Sequence, residues 1–222
     1  MRIGIDLDDV IAICAVPYLR KFAEEFGVQL PDEQEIGWHL LSRMQKDTPW
    51  DKLVPGLEKV TPEQRDRFRM RLYDGKFFSE LEVYQDCPAV LEQLVAAGHE
   101  LYFITARAER RRIITETWLR EKGLFDYAKA VHLKPIGEFR PDYPRGRYDA
   151  EGSAQYKTRL AQELRLDAFC EDDDLISRSL AEVGVRVFPN AQTGQRQIRL
   201  SVLDTRGDWR DALTRLLDLV AA

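Results

Sequence analysis

The sequence contains few of the residues from which disulfide frameworks and zinc sites are built. Only three cysteines and three histidines occur among its 222 residues. Cys14, Cys87 and Cys170 are an odd number, lie far apart and form no C-x-x-C pair, and the histidines show no metal-ligand spacing. We therefore expect neither a disulfide-stabilised fold nor a structural zinc site, and we expect a reducing, cytoplasmic environment.

Long hydrophobic runs and an excess of positive charge are also missing. No apolar segment approaches the roughly 20 residues that span a bilayer, and the chain enters an apolar segment at Ile3 without a basic leader. The 33 Lys and Arg residues against 38 Asp and Glu residues give a formal net charge of −5. This balance predicts that neither a membrane nor a nucleic-acid polymer is a partner, and it leaves the oligomeric state open.

What is present is the composition of a folded globular protein, with 44% hydrophobic and 32% charged residues. Short apolar segments alternate along the chain with amphipathic helical segments, which is the pattern of a parallel sheet with helices on both faces. We predict an α/β fold with a Rossmann-like, doubly wound parallel sheet. The predicted strands are residues 3–5, 100–104, 130–133, 166–170 and 185–188.

A long helical stretch separates the first predicted strand from the second. Residues 29–74 contain no period-2 strand pattern, and helical spacing is found around residues 33–44 and 61–73. Thr61 followed by Pro62 is typical of a helix start, with an N-cap and a proline in the first turn. We predict a small helical cap inserted after the first strand. Its bounds are residues 15–81, and the core domain consists of residues 1–14 and 82–222.

Three further features of the chain are predicted from local patterns. Pro17 begins or kinks a helix that ends at Gly27. Residues 134–153 are rich in proline, glycine and arginine, which favours a long surface loop before a helix over residues 154–164. Asp208 is expected to cap a last amphipathic helix.

Polar residues that can carry chemistry gather where the predicted strands end. In a doubly wound sheet, ligands bind outside the carboxyl ends of the strands, so residues that follow different strands are expected to meet at one edge. The helix before the fourth strand brings an additional lysine to the same edge. The residues concerned are Asp6, Asp8, Thr105, Lys157, Glu171 and Asp172.

The chemistry of this edge follows from its charges. Carboxylates crowded together repel each other unless a cation neutralises them, and oxygen ligands of this kind suit Mg²⁺. Beside the metal ion, Lys157 and the Thr105 hydroxyl could each bind an oxygen of a phosphate. One aspartate could then attack the phosphorus, and a second one two residues later could protonate the leaving oxygen.

These residues resemble, in their order, the four motifs of the haloacid dehalogenase-like phosphatases. Further matches, which together span residues 3 to about 217, resemble the 5′(3′)-deoxyribonucleotidase branch of that superfamily. The four motifs are Asp6-Leu7-Asp8-Asp9-Val10, Ile104-Thr105-Ala106-Arg107, Lys157, and Glu171-Asp172. The matches to the branch are residues 6–12, 18–22, 77–81, 104–105 and 208–210.

The resemblance implies a Mg²⁺-dependent phosphomonoester hydrolase of the nucleotidase type, whose substrate is small and phosphorylated, such as a nucleoside monophosphate. The helical cap would close over the site and select the leaving group. The implied roles are as follows: Asp6 is the nucleophile and a metal ligand; Asp8 is the general acid and base and binds the metal through its backbone carbonyl; Thr105, Ala106 and Lys157 bind the phosphoryl oxygens; Asp172 completes the metal site, with Glu171 beside it.

The sequence departs from the pattern of this branch at three places. Asp9 stands where glycine is usual, so either the turn is made without glycine or the side chain of Asp9 points outward. Cys14 replaces an aromatic residue that would stack on a base. The segment Thr105-Ala106-Arg107 stands where the branch tends to have Thr-Ser-Pro. These departures leave the phosphatase chemistry intact and bear on nucleotide specificity.

Several charged and aromatic residues near the edge have less specific patterns. Arg107 and Trp38 are candidate substrate contacts. Arg107 belongs, however, to a run of arginines that continues through residues 110–112, and an arginine in such a run is expected more often on a solvated helix face. Asp173 and Asp174 are expected to cap the following helix rather than bind metal, because acidic residues favour helix N-termini.

Four alternatives to a nucleotidase remain at this point. A phosphatase for a non-nucleotide metabolite would use the same residues. A receiver-type phosphoacceptor module also uses an acidic pair, a threonine and a lysine, but its acceptor aspartate should end a middle strand, and no aspartate follows the strand that ends at Thr105. A catalytically silent binding module is disfavoured by the intact acidic motifs, and a dehalogenase by the second acid, Asp8.

Overall fold

A computed structural model of the chain describes residues 1–30, 56–140 and 148–188. Within these ranges, five strands alternate with helices in the order expected of an α/β protein. The strands are β1 (Arg2–Ile5), β2 (Glu100–Ala108), β3 (Ala128–Lys134), β4 (Ala168–Cys170) and β5 (Arg186–Phe188), and the helices are α1 (Ala15–Phe26), α2 (Pro62–Asp74), α3 (Cys87–Ala96), α4 (Arg112–Glu121), α5 (Ala150–Glu163) and α6 (Asp174–Glu182).

The five strands form one parallel sheet in the order β3-β2-β1-β4-β5. In the register of this sheet, Ile5 at the end of β1 pairs with Phe103 of β2 and with Cys170 of β4. The first strand is thus the central one, and its carboxyl end lies beside those of both neighbours. The prediction of a doubly wound parallel sheet is confirmed, with all five strands where the apolar segments indicated them.

Side chains alternate across β2 and enter two separate hydrophobic cores, as expected for a sheet covered on both faces. Phe103 belongs to a core that also contains Ile5 and Trp118. Its neighbours in sequence, Tyr102 and Ile104, belong to a second core formed with residues of α5 and α6. Each face of the sheet is therefore buried beneath helices, which leaves the strand ends as the accessible edge.

Local signals in the sequence explain how α1 and α2 begin and end. Pro17 lies in the first turn of α1, where its missing N–H costs no helical hydrogen bond. Gly27 ends this helix in the left-handed conformation, at φ 63°. At the start of α2, Thr61 and Gln64 form a reciprocal capping box, and Pro62 follows as expected.

Some predicted bounds were wrong by several residues. Helix α5 begins at Ala150 rather than at residue 154, because the side chain of Asp149 accepts a hydrogen bond from the Gly152 backbone N–H at 2.9 Å. Strand β2 continues to Ala108 beyond the predicted end at residue 104. The surface loop predicted over residues 134–153 is correspondingly shorter, and its segment 141–147 lies outside the described residues.

The division into a core and a helical cap over residues 15–81 stays a prediction. Helices α1 and α2 do stand between β1 and β2 in sequence, and Tyr18, Phe22 and Phe68 from these helices pack against each other. The predicted helix around residues 33–44 and the last helix capped by Asp208 lie outside the described residues. Among the residues that are described, none of the helices has both the length and the apolar character needed to cross a membrane.

Candidate active site

The first acidic residue of the edge is Asp6, directly after the central strand. Its backbone N–H donates a hydrogen bond to the carbonyl of Cys170 at 3.0 Å, which continues the pairing of β1 with β4. The residue is only 6% exposed. Burial raises the pKa of this carboxyl, while the ammonium group of Lys157 opposes the shift. Asp6 is thus a buried acid that depends on a nearby cation.

That cation is Lys157, a fully buried lysine on α5. Its Nζ atom lies 3.0 Å from Asp6 Oδ1 and donates a hydrogen bond to Glu171 Oε2 at 2.6 Å. Burial alone would lower the pKa of the ammonium group, but the two carboxylates outweigh burial and raise this pKa above its ordinary value. Lys157 is therefore held in its charged form between two acids from neighbouring strands.

Asp172 joins Asp6 and Glu171 to form a cluster of three carboxyl groups, which we call the acidic cluster. One oxygen from each of the three lies within 4.8 Å of the other two. The pKa of Asp172 is raised well above its ordinary value by burial and by the charges of Glu171 and Asp6. Three oxygen donors at such distances, with unfavourable mutual repulsion, are suited to a hard divalent cation.

Asp8 lies at the same edge and is held by an arginine from β2. The guanidinium group of Arg107 donates from Nε to Asp8 Oδ2 at 3.0 Å and from Nη2 to Asp8 Oδ1 at 2.6 Å. The Arg107 side chain is 1% exposed and the Asp8 side chain 26% exposed. Burial would lower the pKa of Arg107, but the Asp8 carboxylate raises it, so the arginine remains charged. The expectation of a solvated helix face for this arginine was wrong.

The two residues before Arg107 lie in the second half of β2, which ends at Ala108. Thr105 is fully buried, and its Oγ1 atom accepts a hydrogen bond from the Arg107 backbone N–H at 3.2 Å. Ala106 is half-buried beside it. The strand pairing brings this segment next to the end of β1 and therefore next to Asp6. The roles of Thr105, Ala106 and Lys157 in phosphate binding stay predictions.

The remaining acidic residues near the edge have structural partners. Asp173 caps α6 and accepts hydrogen bonds from the backbone N–H groups of Leu175 and Ile176 at 2.8 and 3.1 Å, as predicted. Asp174 is the first residue of that helix. The other candidate substrate contact, Trp38, lies outside the described residues.

Comparison with known proteins places this chain in a family. The model of the family described as 5′ nucleotidase, deoxy (pyrimidine), cytosolic type C protein matches residues 1–134. The chain belongs to this nucleotidase family. Its membership confirms the predicted phosphatase of the haloacid dehalogenase-like superfamily and the resemblance to the nucleotidase branch.

Two curated relatives carry provisional nucleotidase names. A protein of Bacillus cereus is 25% identical over 141 residues, which cover 64% of this chain and 66% of that protein. A protein of Oceanobacillus iheyensis is 21% identical over 217 residues, which cover 98% of this chain and all of that protein. The second match extends the similarity beyond the part that the family model covers.

Solved structures share the fold at low sequence identity. A haloacid dehalogenase-like hydrolase from Streptococcus pneumoniae has a TM-score of 0.52 at 16% identity and covers 84% of this chain and 82% of its own. A predicted phosphatase from Clostridium acetobutylicum has a TM-score of 0.53 at 14% identity, with the same two coverages. These likenesses confirm the fold class of this nucleotidase family member.

The structure decides how the chain accommodates Asp9 where glycine is usual. Asp9 adopts a left-handed backbone conformation at φ 60°, so the turn is made without glycine. Its side chain is buried, and Oδ1 accepts hydrogen bonds from the backbone N–H groups of Cys14 and Ala15, both at 2.9 Å, at the start of α1. The alternative that Asp9 points outward was wrong. Burial raises the pKa of this carboxyl to about 7.

Two functional relationships in this site were not predicted from the sequence. The first is the pairing of Asp8 with Arg107, which joins residues 99 positions apart. The second is the capping of α1 by Asp9, whose side chain points into the protein. The sequence did contain a signal for the pairing of Asp8 with Arg107. Side chains two residues apart point to the same face of a strand, so Arg107 would lie on the same face as Thr105 if the strand continued. Nothing in the sequence pattern distinguished Asp9 from its acidic neighbours.

Proposed function

We propose that the protein is a Mg²⁺-dependent phosphomonoesterase of the nucleotidase type that transfers the phosphoryl group of its substrate to Asp6. The observation that carries this proposal is the position of Asp6, which lies at the end of the central strand, 3.0 Å from Lys157 and within the acidic cluster. A nucleophile, a cation and candidate metal ligands thus meet at the accessible edge of the sheet.

The donor set of the acidic cluster fits Mg²⁺. All three side chains offer carboxylate oxygens, the ligands that this ion prefers, and neutralisation of their repulsion would favour binding. We propose Asp6, Asp172 and the backbone carbonyl of Asp8 as ligands, with Glu171 supporting the site through Lys157. When bound, the ion supplies positive charge that stabilises negative phosphoryl oxygens.

In the first half of the proposed reaction, a carboxylate oxygen of Asp6 attacks the phosphorus atom in line with the leaving oxygen. The bond between phosphorus and the leaving oxygen breaks, and Asp8 gives its proton to that oxygen, which departs as an alcohol. The Lys157 ammonium group, the Thr105 hydroxyl and the backbone of Ala106 bind the phosphoryl oxygens. The product on the enzyme is an aspartyl-phosphate.

In the second half, water attacks the phosphorus atom of the aspartyl-phosphate while Asp8 accepts a proton from that water. The bond between phosphorus and the Asp6 oxygen breaks, which releases inorganic phosphate and restores both acids. The partial exposure of Asp8, at 26% of its side chain, supports this role, because the group must face both substrate and water.

For the substrate we propose a nucleoside monophosphate, and for the location of the protein the cytoplasm. Membership of the nucleotidase family and the two nucleotidase-named relatives support the substrate, and the cytosolic type of that family supports the location. A phosphorylated metabolite without a base is the second candidate. Cys14 favours it, because this small buried residue offers no aromatic ring on which a base could stack.

The test is a phosphatase assay on nucleoside monophosphates, sugar phosphates and p-nitrophenyl phosphate, with Mg²⁺ or with EDTA. We expect phosphate release that requires the metal and is abolished by Asp6→Asn. Asp167→Asn is the matched control, because Asp167 precedes β4 at the opposite edge of the sheet, where it accepts a hydrogen bond from Arg2. Turnover that persists in Asp6→Asn or in EDTA would contradict the mechanism, and a preference for sugar phosphates would select the second candidate.

A further inference from the structure

The side chain of Arg107 is buried and bound to Asp8, so it does not reach the open edge where a substrate-binding arginine would lie. Its guanidinium group contacts both oxygens of Asp8, with Nε 3.0 Å from Oδ2 and Nη2 2.6 Å from Oδ1. Such a two-pronged pair fixes the plane of the carboxylate as well as its distance. The side chain of Arg107 is 1% exposed, whereas that of Asp8 is 26% exposed. The partner that reaches the open edge is therefore the acid and not the arginine.

The guanidinium group is itself fixed by the hydrophobic core on that face of the sheet. Its Cζ atom lies 4.1 Å from the centre of the Phe78 ring and 5.4 Å from that of Trp118. Nη1 also donates a hydrogen bond to Thr115 Oγ1 at 3.4 Å. Trp118 is anchored in turn, because its Nε1 donates to the carbonyl of Leu81 at 2.8 Å. Arg107 thus connects Asp8 to buried side chains of the core.

We propose that Arg107 is a positioning residue for Asp8. It fixes the plane of the carboxyl group through one lone pair of each oxygen, and a second lone pair remains available to carry the proton that Asp8 gives to the leaving oxygen. This inference rests on the proposed function, in which Asp8 is the general acid. Proton transfer requires the acid within hydrogen-bond distance of the leaving oxygen, and small displacements of such groups are costly. Asp8 lies on the turn between β1 and α1, and Arg107 binds both of its carboxyl oxygens.

The geometry requires arginine specifically. A lysine ammonium group is a point charge that cannot bind both carboxylate oxygens in one plane or stack flat on an aromatic ring. Arg107→Lys therefore keeps the charge beside Asp8 while it removes the orientation. This substitution separates a role in positioning from a role that needs only a positive charge.

The test compares substrates that differ in their need for a general acid. p-Nitrophenolate leaves readily without a proton, whereas the alkoxide of a nucleoside monophosphate does not. We expect Arg107→Lys and Arg107→Ala to lower kcat/KM for the nucleoside monophosphate by about 10- to 100-fold, a part of the 10²- to 10⁴-fold that general acid catalysis contributes. For p-nitrophenyl phosphate we expect a much smaller change, and Asp8→Asn should show the same difference between the substrates.

Arg111→Lys is the matched control. Arg111 lies 5.7 Å from the same Phe78 ring, but its guanidinium group pairs with Asp74 at 2.8 Å rather than with Asp8. We expect this variant to leave kcat/KM unchanged for both substrates. In Arg107→Ala, added guanidinium ion should restore activity toward the nucleoside monophosphate, because it can occupy the space over Phe78.

Three outcomes would overturn the inference. Equal losses of kcat/KM for both substrates would indicate a structural role, and a raised KM with unchanged kcat would make Arg107 a substrate contact. Full activity of Arg107→Lys would show that charge alone suffices. Each of these is distinct from a failure of the proposed function, in which the wild-type protein has no phosphatase activity or Asp6→Asn retains it.

Discussion

Replacement of Lys157 by methionine tests the electrostatics of the site most sharply. Methionine matches the length of the lysine stem but carries no charge. Because Lys157 is fully buried and lies 3.0 Å from Asp6 and 2.6 Å from Glu171, its loss leaves two buried carboxyl groups without their cation. Breaking a buried ion pair in this way costs about 3–5 kcal/mol. We expect Lys157→Met to lower the free energy of unfolding by that amount at pH 7.

The measurement is urea-induced unfolding in EDTA, so that no metal ion replaces the missing charge. The double variant Lys157→Met/Glu171→Gln should recover about 0.5–3 kcal/mol of this loss, because the two residues interact directly. Lys122→Met is the control: its ammonium group lies 3.2 Å from Glu82, which is 75% exposed, so the loss should stay below about 1 kcal/mol. Equal losses for Lys157→Met and Lys122→Met would refute the reasoning.

Three further predictions concern the rest of the molecule. Burial raises the pKa of Asp9 to about 7 in the folded state, above the unfolded value near 4, so ionisation of Asp9 costs stability as the pH rises between these values. In EDTA, the free energy of unfolding should therefore fall less between pH 5 and 7 for Asp9→Asn than for wild type, and the difference should reach up to about 1.4 kcal/mol per pH unit. Equal pH profiles of the two proteins in urea titrations would contradict this. A Cβ atom added at Gly4 would lie 2.5 Å from the Phe169 ring, so Gly4→Ala should lower the free energy of unfolding by about 1–3 kcal/mol, and an unchanged Tm would count against the packing described for β1. Thr61→Ala removes the hydroxyl that accepts a hydrogen bond from the Gln64 backbone N–H at 3.3 Å and should lower the free energy of unfolding by about 1 kcal/mol. Thr61→Ser keeps the hydroxyl and should not, and equal effects of the two substitutions would show that the cap contributes nothing.

The sheet was predictable because each strand is a short apolar run followed by polar residues. The segment that ends at Ile5 and the one that ends at Cys170 were both identified in this way, and they pair side by side. The start of α5 was not predictable from apolar spacing, because it depends on the capping hydrogen bond of Asp149 to Gly152. A helix bound that is set by a polar side chain cannot be identified from hydrophobic periodicity.

The meeting of Asp6, Lys157 and Glu171 at one edge was predictable because parallel strands end at the same side of a sheet. Which of these groups pair with each other was not, since that depends on side-chain geometry within a few ångströms. The pairing of Asp8 with Arg107 is the clearest case, because the arginine run resembled an exposed helix face, whereas Arg107 lies buried on β2.

The central claim is that Asp6 carries the phosphoryl group during turnover, and the most direct measurement is to trap that intermediate. The protein would be mixed with Mg²⁺ and an excess of its best substrate, quenched in acid during turnover, and digested for mass spectrometry. We predict one phosphoryl group on the peptide that contains Asp6, and none in Asp6→Asn treated identically. A phosphoryl group on any other residue, or rapid turnover by Asp6→Asn, would contradict the account.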